Sequence, residues 1–247
     1  MSYKCETTYE EILDNNHKVI NSVLTSRVYP NGIKHFYDGG NRGNEHLIRI
    51  EFPNGEQAFF KGNRGNEHFF RIELLNGTKK FFEGDKGNEH IVRSELLDGI
   101  KEFYEGNRGN EHCVRIEFPN GNKEFYKGTK GNEHLDRKEL PNGNKEFYKG
   151  TKGNERLVRK VLPNGNKEFY QGYRGNEHLV EIKDANGNKD FYEGDQGIEH
   201  LVEYELQSGL KAFFQGTKDH ENLVRFELPN GNKEFYEGIE GHEHLRS

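Results

Sequence analysis

The sequence predicts an all-β protein, an elongated antiparallel array of about ten 22-residue β-hairpin repeats with a short N-terminal helical cap. Three observations support this prediction. Glycines recur with a fixed period, each period holds two short segments of strand-like composition, and Asn-Gly or another glycine turn separates the segments. These features together favour a succession of β-hairpins.

The repeat is clearest in LPNGNKEFYKGTKGNERLVRKV, Leu140 to Val161, which recurs in varied form from Pro30 almost to the C-terminus. Two glycines one period apart, Gly143 and Gly165, are 22 residues from each other. Two further glycine series keep the same period. Such self-similarity is the signature of a repeat array, so glycine here indicates turns and not flexible linkers.

Each repeat holds two predicted strands, represented by Asn144 to Tyr148 and His134 to Leu140. The pair Asn142-Gly143 joins one strand to the next, and Asn-Gly tolerates two successive positive φ angles in a tight hairpin. The other connection, Gly128 to Asn132, is also short. A parallel crossover needs a dozen residues or more, so the strands should run antiparallel.

Alternation assigns the side chains to two faces. In the strand that begins at His46, one face would hold Ile48, Ile50 and Phe52, and the other would hold Leu47, Arg49 and Glu51. Adjacent aromatic residues such as Phe147 and Tyr148 must point to opposite faces. Arginines and glutamates two positions apart would form charge ladders, each pair contributing about 0.2–1 kcal/mol.

The N-terminus departs from the repeat. Thr8 and Glu11 are spaced as in a capping box, which predicts a short helix from Tyr9 to His17. A degraded strand from Val23 to Tyr29 follows. We therefore predict two domains, an N-terminal cap over residues 1–29 and the repeat array over residues 30–247. An extra glycine at Gly39-Gly40 predicts a β-bulge.

The composition restricts the function classes. The formal charge is −6, with both signs interleaved, whereas a nucleic-acid-binding protein usually carries a basic stripe. Cys5 and Cys113 cannot make a disulfide framework. No apolar run is long enough to span a membrane and no signal peptide is evident. We expect a soluble protein of the cytoplasm, no nucleic-acid partner and no transmembrane segment; contact with a membrane surface stays open.

Glu-His pairs such as Glu133-His134 recur along the chain. Histidine is a common metal ligand and acid–base group. However, equivalent positions in a hairpin array lie two strands apart, about 9.6 Å. Two such imidazoles cannot reach one zinc ion, whose nitrogen ligands lie at about 2.0–2.1 Å. We therefore expect a structural role for the histidines, with no catalytic residue, no metal and no cofactor, and metal or ligand binding by the Glu-His row as an alternative.

Two motifs resemble a known family. Phe147-Tyr148-Lys149-Gly150 is similar to the Tyr-x-Gly of the MORN repeat, and Leu162-Pro163-Asn164-Gly165 to its Tyr-Pro-Asp-Gly. The 22-residue period resembles the MORN-variant repeats of YwqK-like antitoxins, and the uniform repeats are similar to arrays common in giant DNA viruses. Leu47, Leu135 and Leu179 replace family glycines. The resemblance implies scaffolding, protein binding or membrane-proximal attachment, with no catalytic residues; a viral chain would lie in the cytoplasm of its host.

We thus expect a non-enzymatic scaffold for protein–protein interaction or structural assembly, with an unidentified protein partner or self-association. An antitoxin-like neutralising role is the alternative. The predicted binding surface consists of tyrosines and arginines that recur along the array: Tyr104, Arg115, Tyr126, Arg137, Tyr148, Arg159 and Tyr170.

Overall fold

The computed structural model describes residues 5–13, 15–38, 43–238 and 244–246, with residues 20 and 21 described by their backbone alone. The described residues form 22 β-strands and no helix, and every strand pairing is antiparallel. The predicted all-β array of hairpins is confirmed. Within the described ranges, no helix is long and apolar enough to cross a membrane.

The chain divides into two compact units, residues 1–119 with 129–131, and residues 120–128 with 132–247. The first unit contains β1 (Glu6–Leu13), β2 (Val19–Val28), β3 (Lys34–Asp38), β4 (His46–Glu51), β5 (Gln57–Lys61), β6 (His68–Glu73), β7 (Lys79–Glu83), β8 (His90–Glu95), β9 (Lys101–Glu105) and β10 (His112–Glu117). The second unit contains β11 (Lys123–Lys127), β12 (His134–Glu139), β13 (Lys145–Lys149), β14 (Arg156–Val161), β15 (Lys167–Tyr173), β16 (Asn176–Lys183), β17 (Lys189–Glu193), β18 (His200–Glu205), β19 (Lys211–Thr217), β20 (His220–Glu227), β21 (Lys233–Glu237) and β22 (His244–Leu245).

The predicted N-terminal helix is wrong. Thr8 and Glu11, which suggested the capping box, lie in β1, and β1 pairs along its length with β2. An isolated helix of nine residues is marginal in water, whereas pairing satisfies the backbone of both strands. The adjacent threonines and Tyr9 also favour a strand. The strand predicted over Val23 to Tyr29 is confirmed by β2.

The Pro-Asn-Gly connections are three-residue hairpin loops. The amide of Gly143 donates to the Leu140 carbonyl at 2.9 Å, and the Leu140 amide donates to the Asn144 carbonyl at 2.9 Å. Gly143 has φ +87°, and Asn142 Oδ1 accepts from the Asn144 amide at 3.0 Å. This is a type I turn followed by a left-handed glycine. The hairpin is as predicted, but two successive positive φ angles are not, because Pro141 presets the first turn position for type I.

The second connection of each repeat joins the two strands of one hairpin. Between β13 and β14 the Asn154 amide donates to the Thr151 carbonyl at 2.8 Å, and Gly153, the third residue of that turn, has φ +81°. A positive φ at this position is the pattern of a type II turn and requires glycine or asparagine. In the hairpin of β19 and β20 the strands extend further and Lys218-Asp219 forms a two-residue loop.

Asp219 occupies the position that glycine holds in the other turns, and its φ is +65°. A left-handed conformation costs an L-residue about 1–2 kcal/mol, somewhat less for aspartate. We therefore expect Asp219→Gly to raise the free energy of unfolding by about 0.5–1 kcal/mol. Urea unfolding followed by circular dichroism measures the change, and a lower free energy of unfolding in the variant would contradict it.

From β4 to β20, a β-bulge shifts the alternation once in every second strand. In the hairpin of β13 and β14, Phe147 lies opposite Arg159 and Tyr148 lies opposite Leu157, so Val158 is an extra residue. Leu157 therefore faces the same side as Tyr148, and Arg159 faces the same side as Phe147. The bulge bends the strand locally and re-aims the side chains on either side of it.

The predicted face assignment is wrong for the same reason. In β4, Leu47 lies opposite Tyr37 while Arg49 lies opposite Phe36, so Leu47 and Arg49 are on different faces although they are two residues apart. Alternation alone cannot show an inserted residue. The bulge predicted at Gly39-Gly40 lies outside the described residues.

Few apolar side chains are fully buried in the described part of the chain. The buried apolar residues within the described ranges are Val23, Leu24, Ala58 and Ala212, and most strand side chains are only half-buried. Ala58 lies opposite Ile50 on one neighbouring strand and Ile72 on the other. Within a unit, hairpins thus bury side chains against the hairpins beside them, as expected for a repeat array.

Candidate binding face

One face of the strands is built from stacked phenylalanines and arginines, and we name it the Phe/Arg face. Because Phe147 lies directly opposite Arg159, the guanidinium carbon of Arg159 is 4.0 Å from the centre of the Phe147 ring. The same cation–π contact recurs at Phe36 with Arg49, Phe59 with Arg71, Phe81 with Arg93, Phe103 with Arg115, Phe125 with Arg137, and Phe213 with Arg225. The stacking fixes each guanidinium plane against a ring.

A glutamate two residues further on holds most of these arginines in place. Arg137 Nε lies 3.5 Å from Glu139 Oε1, and Arg71 Nε lies 3.3 Å from Glu73 Oε1. The predicted Arg/Glu pairing therefore occurs within one strand. In β14, Val161 stands where this glutamate would be, and among the described side chains Arg159 has no ion pair.

Grooves lie on the Phe/Arg face where the strands of consecutive hairpins are no longer paired. Strands β12 and β13 pair at only three positions, from Arg137 opposite Phe147 to Glu139 opposite Lys145. Beyond them lies a groove of about 380 Å³, whose lining includes Asp136, Phe147, Lys149, Val158, Arg159 and Phe169. Equivalent grooves of about 420 and 440 Å³ lie over Phe81 with Phe103 and over Phe213 with Phe235. Each combines an apolar floor with a cationic rim.

The opposite face carries tyrosines and glutamates, and we name it the Tyr/Glu face. The Tyr148 hydroxyl donates to Glu146 Oε2 at 2.7 Å, and the Tyr170 hydroxyl donates to Glu168 Oε2 at 2.5 Å. Burial raises the pKa of Tyr148, and the hydrogen bond to Glu146 raises it further. Lys138 completes this ladder with Nζ 2.8 Å from Glu124 Oε1. These tyrosine hydroxyl groups are therefore engaged in hydrogen bonds within the protein.

The structure divides the predicted binding residues between these two faces. The tyrosines among them lie on the Tyr/Glu face: Tyr104, Tyr126, Tyr148 and Tyr170. The arginines lie on the Phe/Arg face: Arg115, Arg137 and Arg159. The two sets do not form one surface. The phenylalanines and the bulge valine that line the grooves were missed, because the bulge has no signal in the residue alternation.

The glutamates of the Glu-His pairs connect consecutive repeats. Glu177 accepts hydrogen bonds from the Gly175 amide at 2.8 Å, within its own turn, and from the Leu157 amide at 3.2 Å, 20 residues earlier. That leucine amide lies beyond the last residue pair of β14 with β15. The carboxylate thus takes the place of the missing strand partner. The leucine-side bond recurs at Glu45, Glu67 and Glu199, and also at Glu155 and Glu221, where arginine and asparagine follow in place of histidine.

Two histidines of these pairs, His68 and His90, contact their own turns. His68 Nδ1 lies 3.2 Å from the Asn66 carbonyl oxygen, and His90 Nδ1 lies 3.5 Å from that of Asn88. Both contacts lie within the connection at the end of a hairpin. Within the described ranges, His, Cys, Asp and Glu side chains form no group of three that could hold a metal ion.

Asp190 stands on the Tyr/Glu face at a position where preceding repeats have glutamate. Glu124, Glu146 and Glu168 hold this position in preceding repeats, and each accepts a tyrosine hydroxyl. The aspartate side chain is one methylene shorter and lies opposite Ile182 and Tyr204. Burial raises the pKa of Asp190, and the charge of Asp184 adds to the effect.

A raised pKa means that the native state binds a proton more readily than the unfolded chain does. The contribution of Asp190 to stability is therefore full below its unfolded pKa of about 3.9 and is lost as the pH rises through its native value. We expect Asp190→Asn to unfold at a higher temperature than the wild type at pH 7, with no difference at pH 3. Thermal unfolding at both pH values tests this, with exposed Asp195→Asn as the control. An equal gain at both pH values would contradict it.

Comparison with protein-family models and with curated proteins finds no match. Among solved structures, TcdB2-TccC3 is 9% identical over 96% of this chain, with a TM-score of 0.21. This chain spans about 16% of the length of that one. The SAS-4 (dCPAP) TCP domain of Drosophila melanogaster, solved in complex with a Proline Rich Motif of Ana2 (dSTIL), is 16% identical over 93% of this chain and 90% of its own, with a TM-score of 0.14. A porin-like protein from Bacteroides uniformis is 9% identical over 100% of this chain and 98% of its own, with a TM-score of 0.18. Superpositions this poor support no inference about function.

Proposed function

We propose that this chain is a non-enzymatic scaffold that binds a protein partner along its Phe/Arg face. The observation that carries the proposal is the recurring groove, with phenylalanines on its floor and an arginine already fixed by stacking. Aromatic and arginine side chains are the residues most often enriched at binding hot spots. Fixing them before binding lowers the entropy cost of association.

The remaining recurrent polar groups are already engaged within the fold. Tyrosine hydroxyls bind glutamates, the Glu-His carboxylates accept backbone amides, and His68 and His90 contact their turns. Metal binding by the Glu-His row would require breaking these bonds, so it is the less favoured alternative. The MORN-like resemblance agrees with a scaffold role and supplies no catalytic residue.

Self-association through a strand edge is also less favoured. The pairing of β1 with β2 leaves the other edge of β1 without a strand partner in the described part of the first unit. That strand carries Glu6, Glu10 and Glu11, all exposed. Charged residues on an edge strand oppose pairing with a second copy.

Site-specific photo-crosslinking in cells that express the protein naturally tests the proposal. A benzoylphenylalanine at Lys149, on the Phe/Arg face, should capture a protein partner. The matched control is Lys160 on the Tyr/Glu face, where the equivalent residues Tyr204 and Phe226 show that an aromatic side chain fits. Capture at Lys160 with none at Lys149 would overturn the assignment of the face, and capture at neither would overturn the binding role.

A further inference from the structure

Charge is distributed unevenly along the Phe/Arg face of the second unit. Over β11 to β15 this face holds eight cationic side chains: Lys123, Lys127, Arg137, Lys145, Lys149, Arg156, Arg159 and Lys167. It holds two carboxylates, Asp136 and Glu139. The whole chain has a formal charge of −6, so this cationic surface is a local feature.

The same face of β16 to β20 has no such excess. It carries the cations Lys183, Lys189, Lys211 and Arg225 against the carboxylates Glu181, Glu193, Glu203, Glu205 and Glu227. Glu181 and Glu203 stand where earlier repeats have arginine, and Lys211 Nζ lies 2.9 Å from Glu203 Oε1. A partner chosen by charge would therefore prefer the surface over β11 to β15.

Three of these cations are available to a ligand. Lys149, Arg159 and Lys167 are in no ion pair among the described residues, and both lysines are exposed. Lys149 and Arg159 rim the groove whose floor is Phe147 and Phe169. A ligand with both carboxylates and apolar side chains would neutralise the rim and fill the floor without breaking an existing ion pair.

The repeat spacing selects the conformation of that ligand. Equivalent phenylalanines of this face, such as Phe147 and Phe169, lie two strands apart, about 9.6 Å. Three residues of polyproline II helix rise about 9.3 Å and return the side chain to the same side. Three residues of β-strand cover a similar length, but the side chains at its two ends point to opposite sides. Single-stranded nucleic acid fits less well, because the stacked guanidinium covers a ring face that a base would need.

We propose that the Phe/Arg face over β11 to β15 binds an acidic peptide segment in the polyproline II conformation, with an apolar residue at every third position. The apolar side chains pack over successive phenylalanines of this face, one of them in the groove of Phe147 and Phe169, and the carboxylates between them meet Lys149, Arg159 and Lys167. This inference rests on the proposed scaffold function and names the chemistry of its partner.

The test is fluorescence anisotropy of a labelled peptide of four Leu-Asp-Asp repeats with the full chain. We expect binding that weakens as salt is added. The double substitution Lys149→Gln with Lys167→Gln should weaken binding about tenfold. Lys138→Gln with Lys160→Gln removes the same charge from the Tyr/Glu face and should change the affinity less than about twofold. Circular dichroism confirms that both variants fold.

Control ligands test the requirement for negative charge, the spacing of the leucines and the choice of peptide over nucleic acid. Peptides of Leu-Ser-Ser or Leu-Lys-Lys repeats should not bind, and equal binding of the serine peptide would overturn the charge requirement. A peptide of the same Leu and Asp content with its leucines in one block should bind more weakly, and equal binding would overturn the spacing. Tighter binding of oligothymidine, weakened by the Lys149 and Lys167 substitutions, would assign the face to nucleic acid instead.

Failure of this inference is distinguishable from failure of the proposed function. If the acidic peptide does not bind while the crosslinker at Lys149 still captures a protein, the partner chemistry is wrong and the scaffold role stands. If Lys149 captures nothing and the peptide does not bind, both are wrong.

Discussion

Gly106→Ala is expected to lower the free energy of unfolding by about 3–4 kcal/mol. Gly106 has φ +107°, and a Cβ atom added there would lie 2.6 Å from the Asn110 carbonyl oxygen. The obstacle is backbone within the same turn, so it cannot rotate away as a side chain would. The substitution therefore adds a clash to the cost of a left-handed alanine.

Gly109 in the same turn supplies the matched control. Its φ is +88°, but no atom lies within 4 Å of an added Cβ. Gly109→Ala should therefore show the conformational cost alone, about 1–2 kcal/mol. Urea unfolding of the two variants separates the terms. Equal losses would show that the close approach to Asn110 has no energetic weight.

Glu199→Ala is the second large effect, an expected loss of about 2–3 kcal/mol in the free energy of unfolding. The Glu199 carboxylate accepts the Gly197 amide at 2.8 Å and the Leu179 amide at 3.3 Å. Removing the carboxylate leaves two backbone amides without an acceptor, that of Gly197 in the turn and that of Leu179 in the preceding repeat. Exposed Glu193→Ala, in the same repeat, should change the free energy by less than about 0.5 kcal/mol.

The loss should also depend on pH. Burial acts to raise the pKa of Glu199, but hydrogen bonds from its own amide and those of Leu179 and Gly197 outweigh it and hold the pKa below the ordinary value. The contribution of the carboxylate is therefore present above the unfolded pKa of about 4.3 and is lost as the pH falls through the native value. Urea unfolding at pH 7 and pH 3 should show the difference between wild type and variant shrinking in acid. A difference that is constant with pH would contradict a role for the charged form.

Much of the fold follows from local chemistry that the sequence displays. The fixed glycine period and the short connections predict antiparallel hairpins, because only glycine accepts the φ values at Gly143 and Gly153 without strain. Adjacent aromatics such as Phe147 and Tyr148 must point to opposite faces, and they do. These features depend on residues that are neighbours in the chain, where steric rules are strong.

The features that were not predicted depend on contacts between distant residues. The extra residue Val158 is visible only once the register of two strands is known, and it moves Leu157 and Arg159 to opposite faces. The predicted N-terminal helix does not form, because pairing between β1 and β2 overrides the local capping signal. The role of Glu177 was missed because its second partner is 20 residues away.

The bond from a leucine amide to the glutamate one repeat later gives the array a direction. A hairpin that makes this bond is completed by the hairpin that follows it, as Leu157 is by Glu177. Removing a repeat from the C-terminal side would strip an acceptor from the one before it, whereas removing a repeat from the N-terminal side would only leave a carboxylate to be hydrated. Truncation from the C-terminal side should therefore destabilise the repeat left at the end of the array more than truncation from the N-terminal side does.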